Sequence, residues 1–181
     1  MRTSGILFPI FSLPGKYGIG CFSEEAYKFV DFLKEARQTY WQILPLGPTG
    51  YGDSPYQSFS TFAGNPYLIS LEDLIAQGLL TKKECDEADF GDGKEVDYGK
   101  LYNSRWDLLR KAYLRSGHWD SQEFADFQKD NEFWLRDYAL FMAVKKAHAG
   151  AGLSGWEPDI RDYKADAIQE WSVKLQDDIG F

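Results

Sequence analysis

Two short apolar runs on either side of one amphipathic stretch constrain this chain more than any other feature. The first run, Gly5 to Leu13 (GILFPIFSL), is closed by Pro14-Gly15; the second, Thr39 to Leu46 (TYWQILPL), is β-branched and aromatic and ends at Gly47-Pro48. Both read as buried strands, with Pro9 an irregularity in the first. Between them Ser23 stands as a helix N-cap, Glu24 and Glu25 follow where the helix dipole favours negative charge, and Phe22 is placed to staple onto Tyr27. Ala26, Phe29, Val30, Leu33 and Ala36 recur at helical spacing, while Lys28, Asp31, Lys34 and Glu35 face water. Strand, helix, strand at this spacing is a βαβ unit, which folds right-handed with parallel strands.

The loop after the second run, Gly47 to Gly64 (GPTGYGDSPYQSFSTFAG), carries the densest chemistry in the chain. Its glycines let the backbone turn sharply and Pro48 and Pro55 stiffen it, so it reads as an ordered loop at the strand's C-terminal end. Tyr51, Asp53, Ser54, Tyr56, Gln57, Ser58 and Phe59 put aromatic faces beside neutral hydrogen-bonding groups, with one carboxylate and no Lys, Arg, His or Cys. That inventory suits a neutral polyhydroxylated ligand rather than a phosphate.

Downstream the pattern turns almost wholly helical. Ser70 with Asp73, and Thr81 with Glu84, are capping pairs, and Gly78 is a helix stop. Lys100 to Arg115 is helical with Leu101, Leu108, Leu109 and Ala112 inward; Ser121 to Lys129 is a short helix, and Glu132 to Ala149 a long amphipathic one. Gly150, Gly152 and Gly155 spell GxGxxG, but a helix precedes them and Trp156-Glu157-Pro158 follows, which is not the strand-then-helix setting a dinucleotide site needs. The acidic stretch Asp86 to Asp97 does not match calcium-loop spacing and reads as a solvated face.

Composition removes several functions. A net charge of -8 and a pI near 4.8 argue against sequence-independent binding to nucleic acid or to anionic membrane, both of which need a positive field. Cys21, Cys85, His118 and His148 lie at no metal-ligand spacing, so no metal and no cofactor is expected. Two isolated thiols fit a reducing compartment, and Ile6 to Phe11 is too short to span a membrane, so the expectation is a cytoplasmic protein.

The strings FSLPGKYGIG, YWQILPLGPTGYGDSPYQSFSTFAGNPYLISLEDL and WLRDYALFMAVK, with the later Trp156 segment, together resemble the 4-α-glucanotransferases, the amylomaltases or disproportionating enzymes of the α-amylase clan. The resemblance covers essentially the whole chain in order. It implies an α/β fold: the N-terminal part of a (β/α)8 barrel, residues 1–70 giving its first strands, helix and glucan-binding loop, and residues 71–181 an inserted, mainly helical subdomain. The implied activity is transfer of α-1,4-glucan segments between maltodextrin acceptors by a retaining mechanism with a covalent glucosyl-enzyme intermediate, on maltodextrin, starch or glycogen chains.

The family's nucleophile Asp, its acid/base Glu and its third Asp lie in motifs these residues lack, so the resemblance assigns no catalytic residue here. A complete barrel takes about 250 residues, and two or three strands are readable in this chain. The expectation is therefore a fragment, a truncated form or one piece of a split protein, with a non-catalytic carbohydrate-binding protein as the alternative. By resemblance Tyr56 is the aromatic platform for the sugar beside the scissile bond, Ser54 a nearby hydrogen-bonding group, and Tyr51 the aromatic of a second glucan groove. Packing as loop anchors is the competing role for both tyrosines. Asp53 is a candidate substrate contact or a side-chain turn former.

Overall fold

The structure is a computed structural model that describes residues 2–181. Strands β1 (Gly5–Leu7) and β2 (Tyr40–Gln42) pair in parallel in the register Gly5–Tyr40, Ile6–Trp41, Leu7–Gln42, and α1 (Glu24–Glu35) connects them. The Phe8 amide extends the ladder to the Gln42 carbonyl (2.9 Å), and the Trp41 indole N–H donates to the Phe8 carbonyl (2.7 Å). Helix α1 covers one face: Phe29 packs against Phe8 and Trp41 at centroid distances of 5.0 and 4.8 Å, over a core of Ile10, Leu13, Ala26 and Leu68.

Both strands are shorter and more open than the sequence suggests. Pro9 has no N–H to give a ladder, and the chain turns there into a 3₁₀ helix, Ile10–Ser12, instead of running extended to Leu13. The expectation of buried strands is corrected as well. With two strands the sheet has a covered face, where Trp41 lies half-buried, and an open one, where Leu7 and Tyr40 are exposed. On α1, Ala26 and Leu33 are buried and Phe29 is half-buried as the periodicity predicts, but Val30 is half exposed and Ala36 exposed. Ser23 is buried at the N-cap position without a side-chain capping bond.

Every regular element after the loop is a helix: α2 (Leu71–Ala76), α3 (Lys82–Glu87), α4 (Tyr98–Ser116), α5 (Gln122–Asp130), α6 (Glu132–Ala147), α7 (Pro158–Arg161), α8 (Ala165–Lys174) and α9 (Gln176–Gly180). The caps explain where several of them start. Ser70 Oγ accepts the Asp73 amide (3.0 Å), Ser121 Oγ accepts the Phe124 amide (3.2 Å), and Thr81 with Glu84 forms a complete capping box. Gly150 and Gly152 follow α6 in a turn that runs into a 3₁₀ helix, Leu153–Gly155, so no strand leads into GxGxxG.

The chain forms two compact units, one ending at Ser116 and one from Gly117 to Phe181. The change from mixed to helical structure near residue 70 is not the boundary between them. In the first unit Tyr17 and Ile19, from the turn after β1, share one core with Tyr67, Leu71, Leu80, Cys85, Leu101 and Leu108. That core binds α2, α3 and α4 to the β1–β2 region. The second unit buries Leu140 and Val144 of α6 against Trp156, Ile160 and Ala167.

In that second unit His148, just past α6, has both ring nitrogens against acceptors: Nδ1 lies 2.7 Å from the Val144 carbonyl and Nε2 2.6 Å from a Glu157 carboxylate oxygen. A neutral imidazole carries one N–H, so only the imidazolium satisfies both. These contacts raise the His148 pKa above its ordinary 6.5, with burial and Lys174 acting the other way, while Glu157's own backbone amide and then His148 lower that of Glu157. The signs are opposite. The raised histidine contributes stability that is full below about 6.5 and lost as pH rises through its folded value; the lowered carboxyl contributes above its ordinary value, and its share is lost on acidification. His148 should titrate above 6.5 by NMR, and the melting temperature should fall on the alkaline side in the wild type but not in His148→Gln. A His148 midpoint below 6.5 contradicts the assignment.

Candidate functional site

The loop between Gly47 and Gly64 is held by its own backbone and hydroxyl groups. Its neck closes where the Asn65 amide donates to the Leu46 carbonyl (2.8 Å), and Asn65 Oδ1 then accepts the Tyr67 amide (2.9 Å) to start a 3₁₀ turn, Pro66–Leu68. Gly47 is required at the neck, because a Cβ there would lie 2.3 Å from Ser58 Oγ. Ser58 Oγ donates to the Ser60 carbonyl (2.8 Å) and Ser60 Oγ accepts the Ala63 amide (3.0 Å), so the returning limb is cross-braced. Pro48 is buried, and Pro55 opens a 3₁₀ turn, Pro55–Gln57, tied by the Gln57 amide to the Ser54 carbonyl (3.0 Å).

At the tip, Gly52 (φ 92°) and Asp53 (φ 54°) take the left-handed conformation, and the Asp53 amide donates to the Gly50 carbonyl (3.1 Å). A side-chain turn to the amide two residues on is closed to Asp53, since that residue is Pro55. The Asp53 carboxyl is half-buried, and burial pushes its pKa up. Its charge is felt by the phenols of Tyr67 and Tyr98. Other carboxylates are held in the opposite sense: Asp86 is lowered to about 2 by Lys16 and Lys82, and Glu84 is lowered by Arg115 and Thr81.

Of the four residues singled out from the sequence, Tyr51 is fully exposed and Tyr56 is 72% exposed, while Ser54 and Asp53 are half-buried beside them in the chain. Neither tyrosine is buried against the described residues of this chain. The loop therefore presents two aromatic faces and a row of neutral hydrogen-bonding groups on a braced backbone. Two cavities lie elsewhere: a notch of about 220 Å³ lined by Phe22, Ala26, Tyr27, Val30 and Trp41, and a groove of about 720 Å³ in the second unit, including Arg136, Tyr163 and Gln169. Among the described residues no three His, Cys, Asp or Glu side chains are grouped to hold a metal ion.

Sequence reading missed what holds the loop's return. The buried Tyr67 ring packs against Tyr98 and Trp106 of α4 at 6.2 and 6.4 Å, and Arg105 of α4, 1% exposed, reaches the Ile69 carbonyl. A signal was present, because Arg105 lies four residues after Leu101 and four before Leu109, within the apolar stripe.

The parallel β1–α1–β2 unit with its braced loop and helix-rich continuation defines an α/β protein. Comparison with known proteins supplies the family: the Glyco_hydro_77 model, 4-alpha-glucanotransferase, matches residues 8–181, and the chain belongs to that family. The 4-alpha-glucanotransferase of Clostridium butyricum is 49% identical over 173 residues, 95% of this chain and 36% of its own length. That of Thermus thermophilus is 45% identical over 184 residues, covering 99% of this chain and 36% of its own. The structure is similar to that of the amylomaltase from Streptococcus agalactiae in complex with acarbose, with a TM-score of 0.92 and 41% identity over 99% of this chain and 37% of that one. The chain thus spans about a third of the length of these relatives. No helix among the described residues is long and apolar enough to cross a membrane.

Proposed function

We propose that this chain is the N-terminal third of a cytoplasmic 4-α-glucanotransferase and that its contribution is to position substrate, not to break the glycosidic bond. The β1–α1–β2 unit is then the opening of a (β/α)8 barrel, and the loop from Gly47 to Gly64 stands at the C-terminal end of a barrel strand, the face where such enzymes carry their sites. The observation that carries the reading is the presentation of Tyr51 and Tyr56 as open aromatic faces on a braced loop without cationic side chains. An aromatic ring lies against the apolar face of a glucose unit while neutral hydroxyls and amides take its hydroxyl groups, which fits α-1,4-glucans such as maltodextrin, starch or glycogen.

In this reading Tyr56 is the platform for the sugar beside the exchanged bond, Ser54 a hydrogen-bonding group next to it, and Tyr51 part of a second glucan contact. Asp53, half-buried with a raised pKa, is a further substrate contact. The nucleophile and acid/base of the retaining reaction belong to the remaining two thirds of the enzyme. The test is to incubate the full-length enzyme that carries this chain with maltotriose. Glucose together with maltodextrins longer than the substrate is expected; glucan binding without such products would instead favour a non-catalytic carbohydrate-binding protein.

A further inference from the structure

The interior of the first unit contains a charge that the proposed chemistry does not use. Arg105 sits in the middle of α4 at 1% exposure, and its two terminal nitrogens donate to backbone carbonyls, Nη1 to Tyr17 (3.3 Å) and Nη2 to Ile69. Among the described residues Nε has no hydrogen-bond partner and no carboxylate forms an ion pair with the guanidinium, and burial lowers the Arg105 pKa. Cys21 and Glu72 influence it electrostatically. Burying a guanidinium against neutral partners is costly, and an apolar side chain at this place in the Leu101–Leu109 stripe would pack without that cost. What the cation gains is reach, because its planar fork can grip two carbonyls from separate parts of the chain at once.

Those two carbonyls are not arbitrary. Tyr17 lies in the turn that follows β1, and Ile69 lies immediately after the 3₁₀ turn on which the Gly47–Gly64 loop returns. The loop's two limbs are tied to each other at the neck, where the Asn65 amide donates to the carbonyl of Leu46, four residues after β2. Beside Arg105 on the same helix, Trp106 and Tyr98 pack against Tyr67, so α4 holds the returning limb by a hydrogen-bonded pin and by ring contacts. Inside the loop, the Ser58 and Ser60 bonds make it move with its stem.

We propose that Arg105 is a positioning residue for the substrate loop: its guanidinium ties the loop's return to the turn after β1 and so sets where Tyr56 and Ser54 meet the glucan. The proposal rests on the functional reading above. It does not make Arg105 a catalytic residue, and it gives the helical insertion a purpose in the reaction. Lysine, a point charge with one nitrogen, reaches one carbonyl and leaves the other free, while glutamine has neither the length nor the fork.

The experiment compares wild type, Arg105→Lys and Arg105→Gln in the full-length enzyme, at a temperature where circular dichroism shows each folded. Arg105→Lys keeps the charge and serves where Arg105→Gln fails to fold. Amide hydrogen exchange is followed in peptides spanning 47–69 and, for control, in α6 and α8. Expected is exchange at least about tenfold faster in 47–69 with α6 and α8 unchanged, together with a raised KM for maltotriose; misplacement by about 1 Å costs on the order of a hundredfold in rate. Unchanged exchange in 47–69 and an unchanged KM, with only a lower melting temperature, overturn the proposal. If wild type itself performs no transfer, the functional reading fails, and the exchange arm still decides whether Arg105 pins the loop.

Discussion

Purified alone and incubated with maltotriose, the 181-residue chain should yield neither glucose nor longer maltodextrins above a blank. Retaining transfer needs two carboxyl groups about 5–5.5 Å apart, one ionised as nucleophile and one kept protonated by a raised pKa. The carboxylates of this chain are arranged for other work. Asp86 is shared between Lys16 and Lys82 and lowered to about 2; Glu84 caps α3 and pairs with Arg115 (2.7 Å); Asp89 pairs with Lys100 (2.9 Å). Such groups stay ionised at neutral pH and cannot act as the acid. Asp53 is shifted upward by burial but stands in a loop without a second carboxylate. The isolated chain also has unpaired strand edges and exposed Leu7, Tyr40 and Ile43, so it should tend to associate. Product formation that survives repurification would contradict the division of labour proposed here.

In the full-length enzyme, Tyr56→Ala should lower kcat/KM by at least about tenfold. An aromatic contact is worth roughly 0.5 to 1.5 kcal/mol beyond area burial, and each tenfold corresponds to about 1.4 kcal/mol. Stacking alone therefore accounts for up to about a factor of ten. Loss of orientation adds to it, since a glucan unit free to shift by about 1 Å loses on the order of a hundredfold. Within this chain Tyr56 is 72% exposed, so truncating it removes little packing against the described residues, and measuring the variants while fully folded separates activity from stability. Tyr56→Phe keeps the ring and should lose less.

The parts of the fold legible in sequence are those fixed by local rules. The parallel βαβ unit followed from two apolar runs around an amphipathic helix, and the starts of α2 and α3 followed from Ser70 and Thr81, whose side chains need only the amide three residues on. Where a distant partner decides, the sequence signal was incomplete. The boundary between compact units lies after Ser116 because Tyr17 and Ile19 share a core with α2, α3 and α4, and a periodicity cannot reveal which core a helix joins. The pairing of His148 with Glu157 depends on the turn that brings residue 157 back to the end of α6.

The candidate site divides along the same line. Its aromatic and hydroxyl inventory was readable between Gly47 and Gly64, whereas the close approach of Ser58 that requires glycine at the neck was not. Its place in the apolar stripe hinted that Arg105 turns inward, but what it holds was not readable, because the carbonyls that receive it come from Tyr17 and Ile69, 88 and 36 residues away in the chain. A charged residue inside an apolar stripe marks a place to look, and only the fold says what it holds.

The central claim, that the exposed ring of Tyr56 holds a sugar beside the exchanged bond, is tested most directly by maltotriose disproportionation rates of wild type, Tyr56→Phe and Tyr56→Ala. The rates are to be taken in the full-length enzyme at a temperature where circular dichroism shows all three fully folded. The predicted result is a fall of at least about tenfold in kcat/KM for Tyr56→Ala and a smaller fall for Tyr56→Phe. Near-wild-type kcat/KM for Tyr56→Ala would contradict it.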